Sequence, residues 1–344
     1  MTTVTQTAAD RVLLTVSVAA YNGEATLAEA LRSCLPGQDD RLEVIVVDDG
    51  STDATARIAG GFAERFPGTF RLIRQPNGGY GSAVGAALAA ARGRYFRTLD
   101  CDDWFDPRAL RALLDFLQDA EADAVFTGYR TVQEGRVRRE FPAGPMPGGT
   151  CTFDQLGGRQ LDMEIHAVTF RTRMLRGSGL QLPRRCSYTD MAYTFYGLAG
   201  SETLAFCPVM LYNYRLGRDG QSVSMENYRR HFSDYDKVTR LVLDAAEKLP
   251  DNAKGALLRG RARDIAQYGI ELLLRFPPSA ETRRRLAQYD RALRSRHASI
   301  AAQMKNKNTR LLRASRYAAY PLVSWWARNK QPAARARQGG AAAV

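Results

Sequence analysis

Four apolar stretches, separated by stretches of helical period, constrain what this chain can fold into. Residues 12–20, VLLTVSVAA, are almost continuously apolar, and so are residues 42–47, LEVIVV. A strand buried on both faces of a parallel sheet reads this way, whereas a strand with one wet face alternates. A third strand is expected over Phe70–Arg74 and a fourth over Tyr95–Leu99. The intervening segments change period. Leu27, Leu31 and Cys34 recur at i, i+4, i+7, and Ile58, Phe62 and Phe66 share a helical face. Val84, Ala87, Leu88 and Ala91 mark a small-residue helix, and Leu110, Leu113, Leu114 and Leu117 another ahead of a fifth strand, Ala124–Thr127. The alternation predicts an α/β fold with a doubly wound, mostly parallel sheet.

In such sheets ligands bind at the carboxyl ends of the strands. The polar residues sit there: Tyr21-Asn22, Asp48-Asp49, the turn Asn77-Gly78-Gly79-Tyr80-Gly81, and Asp100, Asp102 and Asp103. Three carboxylates within four residues repel one another and raise each other's pKa. A divalent cation removes that penalty, and carboxylate oxygens suit Mg²⁺ or Mn²⁺. The competing reading is a helix N-cap with an acidic first turn ahead of Pro107.

The rest is less regular. Residues 135–160 are rich in Gly and Pro and read as loop, Glu164–Phe170 as strand, and Met191–Leu198 as an apolar helix. Residues 204–214 read as a strand pair or as one strand bent at Pro208. From Glu226 the period is helical. Phe232, Tyr235, Val238 and Val242 share a face, as do Leu258, Ala262, Ile265, Gly269 and Leu272, and then Leu286, Tyr289 and Leu293. Residues 309–328 mix Arg with Leu, Tyr and paired Trp, with Pro321 expected to kink the helix.

Composition excludes several classes. The five cysteines are odd in number and widely spaced, which supports neither a disulfide framework nor a zinc site and fits a reducing cytoplasm. Residues 1–10 lack the pattern of a signal peptide, and no apolar run is long enough to span a membrane. The net charge is +13, yet residues 281–344 hold 15 Lys+Arg against 2 Asp+Glu, so the body is neutral and the C-terminal region basic. Such a region suits an anionic surface, and its Trp/Tyr/Arg mixture suits an interfacial helix on anionic lipid. No stacking-aromatic recognition module is evident, so nucleic acid is not expected as a partner. The turn after the first strand, AAYNGE, lacks the G-x-G-x-x-G of a dinucleotide-binding oxidoreductase.

With VSVAAYN (16–22), VVDDGSTD (46–53), ARGRY (91–95) and LDCDDWFDP (99–107) in this order, the chain resembles the family 2 glycosyltransferases with the GT-A fold. YTD at 188–190 and LYNYRLGRDGQSVS at 211–224 are similar to a subgroup acting in bacterial cell-surface polysaccharide synthesis. The resemblance implies an inverting, metal-dependent transfer from a nucleotide-sugar, UDP-linked by family habit, to a hydroxyl of a glycan or lipid-linked acceptor. Polyprenyl-phosphate transfer is the nearer alternative, and a non-catalytic nucleotide- or glycan-binding module the more distant one. The expected site is cytoplasmic, peripheral at the inner face of the plasma membrane. The implied organisation is a disordered N-terminus (1–10), a GT-A catalytic domain (11–225), a helical region (226–328) and a disordered basic tail (329–344).

The same resemblance implies roles. Asp48 and Asp49 hold uracil and ribose, with Tyr21, Asn22 and Gly79 lining the nucleotide pocket. Asp102 binds Mn²⁺ or Mg²⁺ directly, Asp100 contacts ribose or the metal, and Asp103 supports the sugar side. Asp190 is the general base, although Thr189 stands where relatives carry Glu. His166, Arg215, Arg218, Gln221 and Ser222 would meet the diphosphate, donor sugar or acceptor. Relatives often have A-R-N where this chain has Ala83-Val84-Gly85, so the contact of that arginine is either absent or supplied elsewhere, with Arg94 and Arg97 as the candidates.

Overall fold

A computed structural model describes residues 12–35, 39–146, 149–217 and 224–329. The chain divides into two units, Met1–Arg218 and Asp219–Val344.

The first unit carries one sheet. Its opening strands are β1 (Leu14–Ala20), β2 (Leu42–Asp48), β3 (Phe70–Arg74) and β4 (Tyr95–Asp100). Helices α1 (Leu27–Ser33), α2 (Thr55–Arg65) and α3 (Tyr80–Ala90) connect them. There follow β5 (Trp104–Phe105), α4 (Pro107–Asp119), β6 (Ala124–Gln133), β7 (Arg136–Phe141), β8 (Thr150–Thr152), β9 (Val168–Arg171), α5 (Thr172–Gly177), α6 (Thr189–Gly200) and β10 (Thr203–Arg215). The spatial order is β3-β2-β1-β4-β9-β6-β10-β5, with β7 on β6 and β8 on β10. β1 lies parallel to both β2 and β4, with Ala20 opposite Asp48 and Ala19 opposite Asp100. The sheet is therefore mixed but mostly parallel: β1–β4, β6 and β10 point one way, and β5, β7, β8 and β9 run against them. Strand order reverses between β1 and β4, and the crevice of such a sheet opens at that reversal. The first four strands are nearly wholly buried apart from β3, as their continuous apolar runs require.

Two stretches differ from the sequence reading, and a third settles on one of its alternatives. Residues 135–160, expected as loop, contain β7 and β8. β7 is a mostly charged edge strand whose two apolar residues, Phe141 and the exposed Val137, are four positions apart, so it carries little hydrophobic signal. The strand expected from Glu164 begins at Val168, and Ile165–Ala167 form a 3₁₀ turn that carries His166. Residues 203–215 form one strand whose register to β6 slips between Phe206 and Met210, around Pro208, which has no N–H for the ladder.

The second unit is helical: α7 (Met225–Arg230), α8 (Phe232–Glu247), α9 (Ala253–Arg275), α10 (Ala280–Arg296), α11 (Ala298–Ala302), α12 (Lys307–Ala314) and α13 (Tyr320–Asn329). Its core joins the apolar faces of α8, α9 and α10. The Phe232 ring lies 5.6 Å from that of Tyr289. Gly269 admits the Tyr289 hydroxyl, which would come within 2.3 Å of any added Cβ. The kink expected at Pro321 is absent, because Pro321 stands in the first turn of α13, where its missing N–H has no helical partner to lose. The helical stretch breaks earlier, at Arg316 and Tyr317, both with positive φ.

One buried carboxylate ties the last helices down. Asp290, 1% exposed, receives Arg313 at 2.7 Å and the Tyr317 hydroxyl at 2.6 Å. Asp290→Ala should lower the stability of this unit by about 3 kcal/mol, because it strands a half-buried arginine and a tyrosine hydroxyl. Denaturant melts of the second unit check this.

Candidate active site

Asp49 follows β2 and is 3% exposed. Its oxygens accept from Gln75 Nε2 at 2.6 Å and from the N–H groups of Gly78 and Gly79 at 2.9 and 2.7 Å. It does not cap α2, whose first N–H instead meets Asp53. Its carboxylate holds the glycine turn after β3 in place. Gly79 adopts φ +80, and a Cβ there would sit 3.2 Å from the Arg185 backbone, so the turn needs glycine on two counts. Asp48 accepts from the Ser51 N–H at 3.0 Å and from Arg74 at 3.3 Å. Asn22, at φ +48, ties the two first turns together: its Oδ1 accepts from the Thr52 N–H at 2.9 Å, and its own N–H donates to Ser51 Oγ at 3.0 Å. Tyr21 beside it is 52% exposed, a large aromatic face at the crevice edge.

The acidic stretch ends β4. Its capping alternative is filled by another residue: Asp106 accepts from the N–H groups of Arg108 and Ala109, each at 3.0 Å, with Pro107 opening α4. Asp100, Asp102 and Asp103 are thereby free of that duty. Asp103, 1% exposed, accepts from the Tyr212 hydroxyl and from the Arg215 N–H, both at 2.7 Å. Burial, then Asp100 and Asp102, still push its pKa well above the carboxylate range. Asp100 keeps some exposure as a residue, but its carboxyl group is withdrawn from water. Burial and the neighbouring Asp102 push it up to about 7.

Among the described residues, the one group of acidic, His or Cys side chains close enough to share an ion is Asp100, Asp103 and His166, with ligand atoms within 4.8 Å of one another. His166 stacks on Tyr214, with ring centroids 4.5 Å apart, and meets Tyr212 edge-on at 4.8 Å. Burial and then the Arg97 charge push the imidazole down to about 3, so it is neutral, the form a metal requires. Its Nδ1 is buried without a hydrogen-bond partner. A neutral imidazole grouped with two carboxylates that resist ionisation is a mixed nitrogen and oxygen donor set that fits Mn²⁺ better than the oxygen-seeking Mg²⁺. Asp102 lies outside this group.

Asp190 stands in the first turn of α6, whose N-cap is Tyr188, so it is not the cap. It faces Asp100, Tyr80 and Tyr214 electrostatically. At Tyr80, which opens α3, burial and then the Asp100 charge push the phenol pKa up.

The structure thus gathers Asp100, Asp102, Asp103, His166 and Asp190 at one end of the sheet, with Asp49, Gly79, Asn22 and Tyr21 at the adjoining strand ends. Arg215 is tied into the scaffold. It donates to the Asp102 carbonyl at 2.8 Å and to Glu29 at 2.6 Å, and lies 4.6 Å from the Trp104 ring centre. Arg218, Gln221 and Ser222 lie outside the described residues. Neither candidate for the missing arginine serves. Arg94, at the far end of β4, donates to the Leu117 and Gln118 carbonyls. Arg97 is fully buried and donates to Thr169 and the His166 carbonyl. Sequence reasoning places Tyr80 in the glycine turn and Tyr212 in the 211–224 stretch but assigns neither a role. Only the period-2 spacing of Tyr212 and Tyr214 hinted that both face one side of a strand.

Residues 15–179 match the family model for glycosyl transferase family 2. The succinoglycan biosynthesis protein ExoO of Rhizobium meliloti is 35% identical over 129 residues, 37% of this chain and 36% of ExoO. The chain therefore matches about a third of that curated relative's length. Residues 1–349 of TarS from S. aureus, solved in complex with UDP-GlcNAc, share the fold with a TM-score of 0.66 at 18% identity, covering 93% of this chain and 92% of that one. The mannosyltransferase PcManGT of Pyrobaculum calidifontis, in complex with GDP-Man and Mn²⁺, gives 0.52 at 18% identity, over 92% and 87%. Residues 15–179 thus carry the likeness to glycosyl transferase family 2, on a fold shared with TarS and PcManGT.

Proposed function

We propose that the protein is an inverting, metal-dependent glycosyltransferase. It moves a sugar from a nucleotide-sugar, UDP-linked by preference, to a hydroxyl of a glycan or lipid-linked acceptor in cell-surface polysaccharide synthesis. It works in the cytoplasm at the inner face of the plasma membrane, which its basic C-terminal region approaches. The observation that carries the reading is the Asp100–Asp103–His166 group at the end of the sheet where α/β crevices open, with the Asp190 charge among those that raise the Asp100 pKa.

In this reading Tyr21 and the glycine turn held by Asp49 receive the nucleoside. Asp100, Asp103 and His166 hold the cation, with Asp102 adding a carboxylate beside them. When bound, the cation offsets the negative charge that builds on the departing diphosphate. Asp190 takes the proton of the acceptor hydroxyl as that oxygen attacks the anomeric carbon from the opposite face. The Mn²⁺ of PcManGT and the UDP-GlcNAc of TarS support the cofactor and donor classes by fold alone.

Thermal-shift measurements with UDP, GDP, dTDP and NAD, each with Mn²⁺ and with EDTA, test it. One nucleoside diphosphate should raise the melting temperature in a Mn²⁺-dependent way. A shift with NAD, or with no nucleotide at all, would reject the reading.

A further inference from the structure

Among the described residues seven large apolar side chains are exposed, and four of them, Leu311, Leu322, Trp325 and Trp326, fall within sixteen residues of one another. They form two stripes. On α13, Leu322, Trp325, Trp326 and Asn329 follow i, i+3, i+4, i+7 and all face water, while Tyr320, Val323 and Ser324 face inward. On α12 the same spacing exposes Lys307, Arg310, Leu311 and Ala314.

These stripes are not loose ends. The Ser324 hydroxyl donates to the Leu274 carbonyl at 2.9 Å, Thr309 donates to Gln267 at 3.0 Å, and Arg313 is paired with buried Asp290. The inward faces are pinned, so the outward faces are held out in a fixed pose. Two tryptophans 55% and 42% exposed on a pinned helix leave unsatisfied the preference of large aromatics for burial.

The charge around them selects the partner. No Asp or Glu follows Asp290 in the sequence, whereas Lys305, Lys307, Arg310, Arg316 and Arg328 are all exposed. A second copy of this surface would bring like charges together. A soluble polyanion would use the cations but not the aliphatic stripe. No described helix is long and apolar enough to cross a membrane. Amphipathic Trp with flanking Lys and Arg suits the headgroup layer of an anionic bilayer. We infer that α12 and α13 form a rigid docking face that lies on an anionic lipid surface, with Leu311, Leu322, Trp325 and Trp326 as its apolar inserts. This face deepens the membrane contact of the proposed function but does not depend on the chemistry of the sugar site.

Co-sedimentation of the full chain with vesicles tests it without any sugar donor. Phosphatidylcholine vesicles with and without phosphatidylglycerol serve as probes. The protein should favour the anionic vesicles at least about tenfold, and salt should weaken the preference. The double variant Trp325→Ala/Trp326→Ala should bind about tenfold more weakly or worse. Lys307→Gln/Arg310→Gln should lose about twentyfold. Both should keep the wild-type melting temperature, since the replaced side chains face water. Tryptophan emission adds an independent readout, because the chain has only three tryptophans and two are in the patch. It should shift to the blue on anionic vesicles. The inference is overturned if the wild type stays in the supernatant, or if both variants bind like the wild type. It is equally overturned if the Trp variant only turns a dimer into a monomer, or only abolishes binding to a single-stranded oligonucleotide.

Discussion

An Asp190→Asn enzyme should transfer sugar roughly 10²–10⁴-fold more slowly than the wild type, while nucleotide and Mn²⁺ still bind. Asparagine keeps the shape of the side chain in the first turn of α6 but cannot take a proton. The neighbours offer no replacement base. Tyr80 is pushed above the usual phenol range by burial, and Asp100 is placed among the cation's holders. The environment also makes the outcome diagnostic. Asp190 is one of the charges that raise Asp100, after burial and Asp102. Removing it should ease ionisation of Asp100, so Mn²⁺ affinity should hold or rise. Single-turnover kinetics and Mn²⁺ titration on the same preparation separate the two effects. Undiminished turnover would sink the base assignment. A joint loss of turnover and Mn²⁺ binding would mean that Asp190 builds the site instead of acting in it.

Some of this was legible in the sequence for physical reasons. Strands β1, β2 and β4 are buried on both faces, so their side chains are mostly apolar, and the buried exceptions Thr15, Glu43 and Arg97 are hydrogen-bonded. Pro107 located the start of α4, and the residue before it, Asp106, proved to be the cap. The cluster members were legible as residue types, but their grouping was not. Asp103 and His166 are brought together by the turn after β4 and a 3₁₀ turn ahead of an antiparallel strand, and no local spacing encodes that meeting. Arg215 reads as a phosphate ligand from its chemistry. Its donation to Asp102 and Glu29 depends on where β10 ends beside β5 and α1, which is a tertiary fact. The β6–β7 hairpin turns at Glu134-Gly135, both with positive φ, but its second strand has charged side chains and leaves no apolar alternation to read.

Removing the divalent cation should lower transfer on the order of a thousandfold, and the loss should carry a pH signature. Asp100 is pushed up to about 7 by burial and by Asp102, whereas a carboxylate in the unfolded chain titrates near 4. Between those two values the native state binds more protons than the unfolded one. The metal-free protein should therefore lose stability from this group as pH rises from about 4 to about 7, and gain it as pH falls. A cation reverses the balance, since it binds the ionised carboxylate and competes with the proton. The rise in melting temperature on adding Mn²⁺ should be small near about pH 5.5 and large near about pH 8. Transfer below about pH 7 should recover when more Mn²⁺ is supplied. Asp100→Asn should abolish both the Mn²⁺ shift and its pH dependence. His166→Ala should weaken the shift while leaving the pH midpoint close to that of Asp100. An equal Mn²⁺ shift at both pH values, unchanged in Asp100→Asn, would place the cation elsewhere and leave Asp100, Asp103 and His166 as a buried polar cluster.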